Sequence, residues 1–196
     1  MTSKNQNHPK PGSQIKVEPI KNLKDIKAIK SLLKDNPRNS TLFILGINTN
    51  LSPSELIHLQ YKDVKNLDVN GILTIEDENN DKVKEVMLNR SCVLSIKSLI
   101  EINGYEDEDY LFKSQRGKLI VPSVHRLIDK WCTAVNLKAN YGSHTLRKTW
   151  GYHQHHTFGA EIKDLMGYFN HSTKKQTMDY LCIDEKKAEN LFLNEL

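Results

Sequence analysis

The chain has little that could cross-link it or anchor it. Its three cysteines, Cys92, Cys132 and Cys182, stand far apart and form no C-x-x-C pair. An odd, scattered set argues against a disulfide framework or a zinc knuckle and points to a reducing compartment. Long apolar runs are missing too. The longest, "LFILGI" at 42–47, has six residues, where a membrane-spanning helix needs about 20. The opening "MTSKNQNHPKPGSQIK" has no apolar h-region and does not read as a signal peptide. A cytoplasmic protein without a membrane partner is expected. Strong charge of either sign is also absent: the net charge of +4 permits a polyanion partner without demanding one. Acid is concentrated in "EINGYEDEDY" (101–110), which leaves the rest of the chain more positive. No internal repeat is visible, and 196 residues suffice for one domain with a substantial core.

What is present reads as mostly helical. Three of the six prolines (Pro9, Pro11, Pro19) lie before residue 20 among few apolar residues, so 1–20 reads as a flexible tail. Leu23, Ile26, Ile29, Leu32 and Leu33 recur at helical spacing, and "NPRNSTLFILGINTN" reads as a second, more buried helix. "SPSELIHLQYKDV" carries a complete helix start, with Ser52 as N-cap, Pro53 at N1 and Glu55 closing an S-x-x-E capping box. "GILTIED" and "KEVMLN" alternate as a β-hairpin around "ENND". A helix over "SCVLSIKSLIEING" follows, then the irregular "YLFKSQRGKLIVP". Helices resume at "SVHRLIDKWCTAVNL", "SHTLRKTWGYHQHHT", "AEIKDLMGYFN" and "STKKQTMDYL", before an amphipathic tail "KKAENLFLNEL". The fold class is α+β, mainly α-helical, with one small antiparallel sheet. Trp131, Trp150, Phe43 and Phe169 read as core.

Two stretches carry chemistry. "GSHTLRKTWGYH" opens a helix with Ser143 as N-cap and puts His144 and Arg147 on one face of the first turn. A helix N-terminus favours an anion through its free N–H groups. A cation placed there opposes the dipole, and a phosphate would relieve the conflict. A surface arginine beside a satisfied histidine is the plainer alternative. "HSTKKQTMDY" begins at His171 and ends at Tyr180. Tyr180 is either an ordinary amphipathic packing residue or a nucleophile served by a nearby histidine.

Taken together, H-x-x-R at a helix start, a histidine in "FNHST" and a tyrosine nine residues later resemble the catalytic domain of the tyrosine recombinases, the phage-integrase and Xer-like family. "NTNLSPSELIHLQYKDV" is similar to that family's first arginine box and "HTLRKTWGYH" to its second, and the resemblance spans roughly residues 21–185. It implies a helical catalytic-domain bundle over 21–196 with the small sheet on one side. It also implies DNA integration or recombination by a mobile element, acting on double-stranded DNA with other recombinase protomers and without cofactor. Tyr180 would attack phosphorus to give a 3′-phosphotyrosyl link, Arg147 would clamp the phosphate, and His144 and His171 would hydrogen-bond it and help move protons. The family's hairpin lysine aligns near Asn79, and Lys82 is preferred over Lys84 for its role.

Two departures stand out. Ser52 occupies the place of the family's first arginine, and Arg38 is the nearest arginine in sequence that could stand in. The first 20 residues leave no room for an N-terminal DNA-clamping domain. A catalytically impaired recombinase-like DNA-binding or regulatory protein is therefore the alternative function. His153 and His156 share a helix face, but without further ligands they read as a partly exposed polar surface rather than a metal site.

Overall fold

The computed structural model describes residues 16–77, 82–114 and 117–184, the side chains of Asp77 and Lys82 excepted. Asparagines start the first two helices. Asn22 accepts from the Lys24 N–H (2.8 Å) at α1 (Leu23–Leu33), and Asn36 from the Asn39 N–H (3.1 Å) at α2 (Pro37–Asn48). α1 buries Ile26, Ile29 and Leu33. α2 buries Leu42, Phe43 and Leu45 almost completely, each contributing about 1.5–3 kcal/mol. Phe43 meets Trp131 edge-on at 6.2 Å.

The capping box at Ser52 forms as its residues dictate, opening α3 (Pro53–His58). The single helix expected over this stretch breaks after His58. Leu59 turns extended (ψ 129) and α4 (Tyr61–Val64) starts afresh. Backbone pairing explains the break. Gln60 bridges Tyr110, the Leu59 carbonyl accepts from the Leu111 N–H at 2.7 Å, and the Asp109 carbonyl accepts from the Tyr61 N–H at 2.9 Å. The neighbouring chain takes the groups a continuous helix would have used. The acidic stretch is partly neutralised here, Glu108 on Lys62 and Asp107 on Lys65.

β1 (Ile72–Asp77) and β2 (Lys82–Met87) pair antiparallel from Ile72↔Met87 to Asp77↔Lys82. Leu73, Ile75, Lys84 and Val86 share one face, and Leu73 is buried. After α5 (Arg90–Ile102), capped by Asn89, the "irregular" segment forms a second short hairpin, β3 (Lys113–Ser114) with β4 (Gly117–Lys118). The described residues thus hold two two-stranded sheets where one was expected. Two-residue strands leave almost no periodicity to read.

α6 (Val121–Ala134), α7 (Thr145–His156), α8 (Ile162–Phe169) and α9 (Lys174–Leu181) complete the helices among the described residues. α7 is central, and two glycines let its neighbours approach. A Cβ on Gly46 of α2 would lie 2.5 Å from Leu146, and one on Gly151 would lie 2.5 Å from Phe169 and 2.7 Å from Leu181. On the second side Leu165, Phe169 and Leu181 form a small cluster with Trp150 and Tyr180 against it. No helix of the described residues is long and apolar enough to cross a membrane.

Residues 16–20, expected to belong to the tail, lie along α7 with Pro19 and Ile20 buried. Polar side chains of α7 bind this strap. The Thr145 hydroxyl donates to the Glu18 carbonyl (2.9 Å) and the Thr149 hydroxyl accepts from the Ile20 N–H (2.8 Å). His153 is buried, against the exposed face expected, and pairs through Nε2–H with the Ile20 carbonyl (2.9 Å). Its Nδ1 lies 2.7 Å from the Thr157 hydroxyl. Burial holds its pKa below the ordinary histidine value, against the pull of the Ile20 carbonyl. The folded state therefore prefers the neutral ring. Its contribution to stability is complete above about pH 6.5 and is lost as the pH falls from there through the lower folded value. The melting temperature should drop between pH 7.5 and 5.5, and drop less in His153→Gln. A melting temperature flat over that range would contradict the assignment.

Candidate active site

α7 begins one residue later than expected. His144, not Ser143, holds the N-cap position, and it makes no side-chain cap bond. The Ser143 N–H instead donates to His125 Nδ1 at 3.4 Å. Thr145 closes the turn, its hydroxyl accepting from the Gly142 N–H at 3.0 Å. The helix start thus keeps N–H groups that no capping side chain covers, with Arg147 within the first turn.

Arg147 is half-buried and fixed from three sides. Its Nε donates to Asn50 Oδ1 (2.9 Å), one terminal nitrogen donates to the Tyr168 carbonyl (3.4 Å), and the guanidinium lies over the Phe169 ring at 5.3 Å. Asn50 is buried, and its amide also donates to the Tyr168 carbonyl. The Asn50 backbone carbonyl accepts Lys84 Nζ at 2.5 Å. One asparagine therefore places two cations. Lys84 is paired with Glu55 at 2.9 Å, and Glu55 in turn accepts from the Ser52 N–H at 2.5 Å. Burial raises the Glu55 pKa, but the Ser52 N–H and Lys84 outweigh it, leaving the carboxylate below its ordinary range. The Lys84 pKa is lowered, by burial first and with help from Arg147, and its partner Glu55 offsets only part of this.

His171 follows Asn170, whose left-handed backbone (φ 56) ends α8 and turns the chain. Its ring stacks on Phe169 at 5.6 Å, and its Nδ1 lies 3.1 Å from the hydroxyl of fully buried Thr177. That hydroxyl also reaches the Thr173 carbonyl at 3.5 Å. With that hydroxyl donating to the carbonyl, His171 Nδ1–H would donate to it and Nε2 would keep its lone pair. Tyr180 sits in the last turn of α9 beside Leu181, with ring centroids 5.3 Å from His171 and 5.1 Å from Phe169. Its hydroxyl bonds to none of the described residues. Burial raises the Tyr180 pKa while Arg147 works against that, so Tyr180 is a phenol at neutral pH. Burial and then Arg147 lower the His171 pKa. His144 keeps much of its surface open, yet desolvation of its ring, Arg147 and Lys148 lower its pKa as well.

Arg147, His171 and Tyr180 are thus gathered around Phe169, with His144 in the adjoining turn. Lys82 opens β2, and its side chain lies outside the described residues, as does the tail from 185 onward. Among the described side chains, the hairpin lysine tied to the cluster is Lys84, through Asn50 and Glu55. Arg38 does not stand in for Ser52. It binds Asn39 and the Lys113 carbonyl at the far end of α2, about 15 Å of helix from Asn48. Nothing local in the sequence marks Asn50 or Thr177. Asn50 lies two residues before the capping box and carries no local signal, and Thr177 is one of several small polar residues in its helix. Each acquires its role only through contacts across the fold.

The model of the phage integrase family matches residues 20–187. The chain is 36% identical over 176 residues to the probable integrase/recombinase YoeC of Bacillus subtilis (strain 168), covering 86% of this chain and 91% of that one. Its fold is similar to XerA recombinase, with a TM-score of 0.70 at 18% identity over 89% of this chain and 63% of that one. It is also similar to XerH site-specific recombinase bound to a palindromic difH substrate in a post-cleavage complex. There the TM-score is 0.66 at 17% identity, over 84% of this chain and 49% of that one. The chain spans 63% and 49% of the length of these two solved recombinases.

Proposed function

Because this chain belongs to the phage integrase family, we propose that it breaks and rejoins duplex DNA through Tyr180. The observation that supports this most is the fixed guanidinium of Arg147, held over Phe169 beside Tyr180 and His171 at an uncapped helix start. Tyr180 Oη attacks the scissile phosphorus, the bond to the 5′-oxygen breaks, and a 3′-phosphotyrosyl link and a free 5′-hydroxyl remain. The bond energy stays in the phosphodiester, so attack by another 5′-hydroxyl reseals the strand without metal or nucleotide. The free Nε2 of neutral His171 is the acceptor beside the phenol, and His144 hydrogen-bonds a phosphate oxygen. Arg147 directs its remaining N–H groups, with those of the α7 start, at the non-bridging oxygens, where charge builds in the phosphorane. Lys82 protonates the leaving 5′-oxygen. Lys84, tied to Glu55 and Asn50, is less free to do so.

XerH is described on a palindromic site, and such a site offers the same face to two protomers. Double-stranded DNA and further protomers are the partners we infer. One observation favours a second reading. Ser52, in the place of the family's arginine, is engaged in capping α3, which fits an impaired recombinase kept for DNA binding.

The test uses a library of duplexes with a randomised core, each nicked so that the leaving fragment diffuses away. Wild-type protein should give adducts stable to detergent, and Tyr180→Phe should give none. DNA binding by both proteins with adducts from neither would favour the binding reading and defeat the enzyme.

A further inference from the structure

Lys148 follows Arg147 in the chain, yet only 5% of its surface is exposed. Its Nζ donates to the Val17 carbonyl at 2.8 Å and stands 4.7 Å from the centre of the Tyr180 ring. Cys182, which ends α9 in a left-handed turn, places its Sγ 3.8 Å from the same carbonyl. The strap therefore meets the nucleophile's helix and the ammonium beneath its ring at one atom. A buried ammonium is costly, and among the described residues the Val17 carbonyl is its one hydrogen-bond acceptor. Filling the space would not require a charge, since methionine is nearly as long and apolar. The ring face is the partner that makes a cation useful there.

We propose that Lys148 is a positioning residue for Tyr180: its ammonium, anchored by the Val17 carbonyl, orients the phenol and favours the phenolate as the proton leaves. The inference rests on Tyr180 being the nucleophile. Among the described residues, the charged and titratable groups that bear on Tyr180 are Arg147 and Lys148 from α7, His171 before α9, and Cys182 on its own segment. Lys148 in turn lies near Lys16 and Glu18 of the strap and near Cys182. Among these, Lys148 is the cation recorded over the Tyr180 ring face. As negative charge grows on the ring, its attraction to that ammonium grows with it, so the contact favours the reacting state over the resting one. Burial lowers the Lys148 pKa, and this sets an alkaline limit beyond which the effect disappears.

Two variants separate the charge from the packing. Lys148→Gln keeps an N–H for the Val17 carbonyl and removes the charge; Lys148→Arg keeps the charge. The protein is labelled with 3-fluorotyrosine, whose phenol titrates below that of tyrosine, and followed by fluorine NMR, with Tyr180→Phe assigning the resonance. Lys148→Gln should raise the titration midpoint of residue 180 by about one unit. It should also move the pH profile of adduct formation the same way, with about a tenfold loss at pH 7.5. Lys148→Arg should restore both. An unchanged midpoint and profile in folded Lys148→Gln would overturn the proposal. If that variant does not fold, Lys148→Met carries the same prediction. The NMR arm needs no DNA: a shifted midpoint in a protein that forms no adduct would uphold the ring–cation coupling and defeat the nucleophile reading.

Discussion

Arg147→Lys lowers single-turnover DNA cleavage by about 10²–10³-fold, the usual cost of removing one donor to a developing oxyanion, while the fold survives. The guanidinium uses its planarity three ways, on Asn50 Oδ1, on the Tyr168 carbonyl and on the Phe169 face. Those contacts aim the remaining N–H groups as a rigid fork. An ammonium at the same place keeps the charge but has neither the plane nor the fork. It also leaves Asn50 Oδ1, on a buried residue, without its present donor, at a cost of about 1–3 kcal/mol in stability. Circular dichroism and melting should therefore show a folded but weakened protein, and the rate loss should persist at saturating DNA. A loss smaller than about tenfold would mean that the scissile phosphate does not sit on Arg147.

Ser52→Arg raises cleavage by roughly 10²-fold or more, the inverse of that donor cost. Ser52 lies two residues from Asn50, whose carbonyl and side chain already hold Lys84 and Arg147. A guanidinium here would enter beside two existing cations, with Glu55 close enough to accept part of its charge. The present neighbour, Lys84, cannot substitute well, because Glu55 and Asn50 occupy its donors. The substitution removes the Ser52 hydroxyl from the Glu55 N–H (3.2 Å), so stability should fall by about 1 kcal/mol. Strong cleavage by the wild type with no gain in the variant would show that Lys84 already fills the vacant role. Lys84→Met would then abolish activity instead of merely loosening the hairpin. Absence of cleavage in both forms, with DNA still bound, would favour the regulatory reading.

The residues that act through local spacing were legible in the sequence. The capping box of Ser52 and Glu55 follows from three positions, and helix geometry keeps His144 one turn from Arg147 and puts Tyr180 in the last turn of α9, but no local spacing brings α7 and α9 together. What stayed hidden depends on distant partners. The strap carries too few apolar residues to announce itself, and its bonds go to polar side chains of α7 more than 120 residues away. For the same reason His153 read as surface: its partner, the Ile20 carbonyl, is a backbone group no pattern marks. The break at Leu59–Gln60 was missed because α3 and α4 keep helical apolar spacing across it, and only pairing with 109–111 interrupts them. Lys84 and Lys82 are equivalent by composition. Glu55, reaching across from α3, is what draws Lys84 to the cluster.

Mass spectrometry of the trapped adduct tests the central claim most directly. Nuclease trimming and trypsin should leave one modified peptide, QTMDYLCIDEK (176–186), with a nucleotide remnant on Tyr180. Alkaline phosphatase and labelled ends should show a free 5′-hydroxyl on the other strand end and the 3′-phosphate on the protein. A remnant on any other residue, or a 5′-linked phosphate, would contradict the assignment of Tyr180 and the polarity of the reaction.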